Sequence, residues 1–152
     1  MPSGWRFATC LICVLPILSC SGKRPSNLGV SGGALAPCPA SPNCVSSDAA
    51  DAAHRVEAFA LSAPLDEAWR VLREEVAALP RTTVVAETDN YLHAQCASAV
   101  FGFVDDLEFH LRDSASSVAI RSASRVGFSD LGVNRKRVER LREALQARGV
   151  VR

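Results

Sequence analysis

Phe103-Val-Asp-Asp-Leu-Glu-Phe-His-Leu-Arg-Asp-Ser-Ala-Ser-Ser-Val-Ala-Ile-Arg-Ser-Ala-Ser-Arg-Val126 decides the fold, because it reads as two strands folded about a polar turn. The turn lies within Arg112 to Ser117. Folding the chain there sets Leu111 against Val118, Phe109 against Ile120 and Leu107 against Ser122. That face is nearly all apolar and belongs to a core. The opposite face carries Asp106, Glu108 and His110 against Ala123, Arg121 and Ala119, with Arg125 close by. A slip of one residue would turn charges into the core and part Glu108 from Arg121, so the register is specified from both faces.

Further strands are expected at Arg55 to Leu61, Thr82 to Glu87 and Tyr91 to Val100. Over Pro64 to Leu79, the residues Leu65, Ala68, Trp69, Leu72, Val76 and Leu79 recur at helical spacing. Ser62 is the expected N-cap, Asp66 and Glu67 suit the first turn, and Pro80 stops the helix. A second helix is expected from Asn134 to Arg148, with Val138, Leu141 and Leu145 inward. The order βαββββα predicts an α+β fold, an antiparallel sheet of about five strands packed by two helices on one face.

Residues 1–19 read as a signal peptide: Arg6 is basic, Phe7 to Leu18 is apolar, and Ser19 is small. The apolar run is too short to span a bilayer comfortably. Ile17-Leu18-Ser19-Cys20 resembles the bacterial lipobox, which makes Cys20 the expected lipidation site. The alternative is an ordinary signal peptide with an incidental Cys20. With lipidation the chain is exported to the bacterial envelope and held to a membrane by acyl chains. Ser21 rather than Asp, by resemblance to enterobacterial sorting, favours the periplasmic face of the outer membrane over the inner. Residues 20–34 then form a flexible tether and 35–152 a single domain, the size that 152 residues allow.

Cys38 and Cys44 flank Pro39-Ala-Ser-Pro-Asn43, and in an exported chain so close a pair is expected to be a disulfide stapling an irregular loop. A redox or metal role with His54 is the alternative, but the spacing fits no standard zinc pattern, so no metal is expected. Cys96 reads as a buried thiol. Seventeen basic against sixteen acidic residues leave a net charge of +1, which gives no support to nucleic-acid binding. No cofactor motif is present in the sequence.

The runs Phe101-Gly-Phe-Val-Asp-Asp-Leu-Glu-Phe109, Ile120-Arg-Ser-Ala-Ser-Arg-Val-Gly127 and Ser129-Asp-Leu-Gly-Val-Asn-Arg135 resemble the domain of unknown function 1499 family. Leu35-Ala-Pro-Cys-Pro-Ala-Ser-Pro-Asn-Cys-Val-Ser-Ser47 is similar to that family's opening motif. The resemblance covers roughly Leu35 to Leu145 and implies no activity. Leu61-Ser-Ala-Pro-Leu-Asp-Glu-Ala-Trp69 also resembles the opening of helix-grip lipid-binding domains.

Asp105, Asp106 and Glu108, with His110, are the densest polar group. They read either as an acid/base or cation site, or as a solvated sheet face crossed by ion pairs to Arg121 and Arg125. Asp105 falls on the core face opposite Ser124, where either a bulge turns it out or a partner satisfies it: Ser122, Ser124, Arg135 or backbone N–H groups. Arg135, Lys136 and Arg137 open the second helix against its dipole, which calls for Asp130 and the Asp105 group, or a bound anion such as a phospholipid headgroup. The candidate ligand-binding residues are therefore Arg121, Arg125, Asp130 and Arg135. Asp105, Ser124, Arg125, Asp130 and Arg135 are expected to form one connected site, whereas His54 and His93 stand apart.

Together these features predict a non-enzymatic lipoprotein binding a partner or an amphipathic, lipid-like or anionic ligand. The alternative is an envelope hydrolase using Asp105, Asp106 and His110. A solvent-open cavity lined by Trp69, Phe59 and Phe103 would favour ligand binding. A cleft joining Asp106 and His110 without arginine partners would favour the enzyme. A filled core with ion-paired acids would favour a scaffold or interaction module.

Overall fold

A computed structural model of the chain describes residues 22–152, so the signal peptide, Cys20 and Ser21 lie outside the described residues. The elements in order are β1 (Val30–Ser31), β2 (Ala34–Leu35), β3 (Cys44–Ser46), β4 (Phe59–Ala60) and α1 (Leu65–Ala78). Then follow β5 (Thr82–Glu87), β6 (Tyr91–Ala97), β7 (Val104–Arg112), β8 (Ser117–Ser124) and α2 (Val133–Ala147). The fold is α+β. The main sheet runs β3-β8-β7-β6-β5, every pair antiparallel, and β4 pairs with the β8 residues beyond β3.

The β7–β8 hairpin has the register that its two faces require. Leu111 pairs with Val118, Phe109 with Ile120, Leu107 with Ser122 and Glu108 with Arg121. On the apolar side Phe59, Leu72, Val76, Leu92, Leu107, Phe109, Ile120, Leu141 and Leu145 bury together, so both helices cover one face. This core is filled: Phe59 is fully buried and Trp69 nearly so.

Three local readings change. Of the expected Arg55 to Leu61 strand, Phe59–Ala60 forms a ladder with β8, while Arg55 and Leu61 make isolated bridges to Ser46 and Val151, because β3 occupies the neighbouring stretch of the β8 edge. Pro64 rather than Ser62 precedes α1, and the Ser62 hydroxyl donates to the Gly149 carbonyl at 3.0 Å. The Gly- and Pro-rich stretch before residue 35 is no loose tether where it is described. β1 and β2 pair antiparallel, Gly29 N–H donates to Glu108 Oε1 at 2.8 Å, and Arg112 donates to the Gly33 carbonyl at 3.1 Å. Glu108 and Arg112 thus supply the anchoring that the arm's own apolar residues do not.

Cys38 and Cys44 are joined in a disulfide with Cα atoms 5.6 Å apart. Beside it, Asn43 links three pieces of chain. Its side-chain amide donates to the Gly127 carbonyl at 2.6 Å, while its carbonyl accepts from Ser124 N–H at 2.9 Å and the Asn134 amide at 3.1 Å. His54 braces the same loop, with Nδ1 2.8 Å from Asp51 and Nε2 3.2 Å from the Ser41 carbonyl.

Candidate functional site

Strand alternation places Tyr91, His93 and Gln95 of β6 beside His110, Glu108 and Asp106 of β7 on the sheet face away from the helices. Arg121 and Arg125 complete this face from β8 and its end. The layer is buried, not solvated: His93 and Glu108 are fully enclosed and Asp106 is 1% exposed. Arg125 grips Asp106 with two hydrogen bonds of 2.9 and 2.7 Å, and His93 Nε2 lies 2.8 Å from the same carboxylate. Glu108 accepts from Arg121 at 3.0 Å, Tyr91 at 2.8 Å and Gly29 N–H.

Burial alone pushes the Asp106 carboxyl up, but the hydrogen bonds from Arg125 and His93 outweigh it and hold the group at about 2. Burial, then the Arg112 charge, lowers His110, against the opposing pull of Asp48. Tyr91 is raised, first by burial and then by the Glu108 charge, so it stays a donor. These acids are acceptors already engaged by cations. That is the chemistry of a structural charge layer.

Asp105 faces the other way, into the gap between sheet and α2. Ser124 donates to it at 2.6 Å and Arg137 at 2.6 Å. Arg137 and Ser122 both donate to the Asn134 side-chain carbonyl at 2.6 Å, and Asn134 is fully buried. Asp130 accepts the N–H groups of Gly132 and Asn134 at 2.9 and 2.7 Å, so it caps the α2 entry. Arg135 instead donates to the Ala53 and Arg55 carbonyls, both at 2.8 Å.

The expected single site is therefore divided. Asp105, Ser124 and Arg137 lie on the helix side, Arg121 and Arg125 lie on the opposite face, and Asp130 and Arg135 serve backbone groups. The same alternation separates Asp105 from Asp106 and His110. Asp106 and His110 share a face but stand four residues apart along β7, about 13 Å at strand spacing. The constellation that a hydrolase would use does not converge. Among the described residues no group of three or more His, Cys, Asp or Glu is arranged to hold a metal ion.

The open surface lies elsewhere. At one end of the sheet, the β6–β7 loop, the β8–α2 loop and the first residue of α2 expose Val100, Phe101, Phe103, Phe128, Leu131 and Val133, with Leu131 86% exposed. Phe101 and Phe103 stack with ring centroids 5.4 Å apart. Between the loops is a mostly apolar hollow of about 480 Å³ whose floor includes Ser124 and Val126. Contiguous exposed apolar side chains of this kind mark interaction surfaces. Their signal in the sequence is apolar residues beside Gly102, Gly127 and Gly132, where solvent-exposed loops ordinarily carry polar side chains. His93 and Arg137 carry signals too: His93 alternates with Tyr91 and Gln95, and Arg137 lies one helical turn from Asn134.

No curated protein and no solved structure matches the chain. One family model does, over residues 34–145, which takes in the disulfide loop, the whole main sheet and both rim loops. The chain belongs to the family described as protein of unknown function (DUF1499).

Proposed function

We propose that this chain is a non-enzymatic, membrane-tethered lipoprotein of the bacterial envelope whose loop rim binds an amphipathic or anionic ligand. Residues 1–19 direct export, Cys20 carries the anchor, and Ser21 favours the periplasmic face of the outer membrane. The rim carries the reading: it gathers six exposed apolar side chains at one end of a domain whose core is otherwise closed. The core is filled and Asp106 and Glu108 spend their lone pairs on Arg125, Arg121 and the arm, as in an interaction module, so binding falls to the rim rather than to a cavity behind the sheet.

The test is mass spectrometry of small amphiphiles and lipids co-purified with the full-length protein from membranes in mild detergent. An amphiphile enriched over an unrelated lipoprotein, and lost from a Phe101→Ser, Leu131→Ser variant of unchanged melting temperature, is the expected result. Equal recovery from the variant, or no enrichment at all, overturns the reading.

A further inference from the structure

Taking the rim as the binding surface, we propose that its partner is the surface of an anionic phospholipid bilayer, the one that holds the anchor. The first observation is where the described chain begins. Gly22 packs against the rim: a Cβ there would stand 2.8 Å from Val126 Cγ1 and 2.9 Å from Arg125 Cβ. Val126 also lines the hollow between the rim loops. Cys20 is two positions before Gly22, so an acyl-bearing cysteine lies within about 7 Å of Gly22 along the chain. Chain entry and apolar rim are at the same end of the domain.

The second observation is charge. Val133 belongs both to the rim hollow and to an adjoining hollow lined by Arg81, Lys136 and Arg140. These three side chains are exposed, and among the described residues none forms an ion pair. The acids near the rim are committed, Asp105 to Arg137 and Asp130 to the α2 backbone. At the far end of the sheet, the β5–β6 and β7–β8 turns border an open groove that includes Asp66, Asp89 and Asp113, without an ion pair among the described residues, and Glu87 paired with Arg73. A net charge of +1 thus conceals a basic flank at the rim and an acidic far end. An anionic surface draws the rim inward and repels the other end.

The third observation is shape. Apolar tips flanked by exposed cations, with no membrane-crossing helix among the described residues, fit the headgroup boundary rather than the bilayer core. The acyl chains hold the protein to the membrane but leave the orientation of the domain free, and a second apolar contact with a basic patch fixes it. The rim holds the domain on end, with the acidic groove facing away from the membrane.

The experiment uses full-length protein reconstituted in vesicles of phosphatidylcholine with or without phosphatidylglycerol. A photo-crosslinking benzophenone side chain is installed at Phe101, at Leu131 or, as the far-end control, at Asp113. Phospholipid adducts at Phe101 and Leu131 but not at Asp113 are expected. Omitting phosphatidylglycerol, or introducing Lys136→Glu with Arg140→Glu, should lower their yield about fivefold. Adducts to a second copy, to the protein's own acyl chain, or to nothing each overturn bilayer docking. An amphiphile that still co-purifies through the rim when no phospholipid adduct forms leaves the ligand site standing and removes only its bilayer partner.

Discussion

Arg125→Met isolates the energetic role of the charge layer. It keeps most of the side-chain volume and removes both hydrogen bonds to Asp106, a carboxylate 1% exposed that would retain only His93. Breaking a buried ion pair from one side costs about 3–5 kcal/mol, because the remaining charge stays buried. Linkage gives an independent scale. Asp106 is lowered from 3.8 to about 2, and one unit is worth about 1.4 kcal/mol, so the shift accounts for about 2 kcal/mol. A carboxyl lowered on folding adds that stability above its unfolded value, near pH 4, and loses it as pH falls through about 2. In Arg125→Met the burial that pushes the carboxyl up is opposed by His93 alone. The stability gap between wild type and variant, measured by denaturant unfolding, should therefore exceed about 3 kcal/mol at pH 7 and narrow as pH is lowered. Asp106→Asn with Arg125→Met should recover much of the loss, since the stranded charge is gone. A gap below about 1 kcal/mol that is flat with pH would refute a buried, mutually dependent pair.

Arg121→Ala and Glu108→Gln should show coupling above about 1 kcal/mol in a double-mutant cycle, and zero coupling would mean the hairpin register is wrong. Arg137→Ala should lower the melting temperature and Arg135→Ala barely change it, because only Arg137 compensates the buried Asp105; equal effects from the two would contradict the assignment. Thiol labelling before and after reduction should find Cys38 and Cys44 oxidised together, and Cys38→Ala with Cys44→Ala should cost about 2–3 kcal/mol. Two free thiols in protein isolated from membranes would end that expectation. Cys20→Ser should release the protein from the membrane fraction with its fold unchanged, and firm retention would count against an acyl anchor as the main tether.

How much the sequence disclosed follows from how many faces of an element carried information. β7 and β8 pair locally, and each strand has an apolar face and a charged one, so a single register satisfies both. β6 is read more easily for Leu92, Ala94 and Cys96 than for Tyr91, His93 and Gln95. Its pairing with β7 is what turns His93 from an isolated residue into a partner of Asp106. The arm is harder to read, because it binds through backbone groups at Gly29 and Gly33, which leave no periodic trace. The assignment of Asp105 to Arg135 instead of Arg137 is an error of helix phase. Residues two apart on a helix point about 200° apart, and Val138, Leu141 and Leu145 alone leave room for that error. Including the buried Asn134 fixes the phase and brings Arg137 to the sheet side.

The charge layer and the rim serve one end. A small domain with helices on only one face of its sheet must do something with the other face, and the described arm covers it using Glu108 and Arg112 as acceptor and donor for backbone groups. Arg125 then has two duties: its guanidinium holds Asp106, and its Cβ forms part of the seat for Gly22 beside Val126. Gly22 has φ +65°, and any side chain would meet the Val126 and Arg125 side chains below 3.0 Å. Only glycine fits there without displacing the chain. Gly22→Val should therefore lift the chain entry from the rim while leaving the core, which begins thirteen residues later at Leu35, intact. In the vesicle experiment that variant should keep its melting temperature within about 2 °C, a shift that corresponds to well under 1 kcal/mol. Its phospholipid adducts at Phe101 and Leu131 should fall, because the anchor no longer enters beside the rim. Unchanged adducts at both positions would show that the rim finds the bilayer without guidance from the chain entry, and the coupling between anchor and rim would be lost.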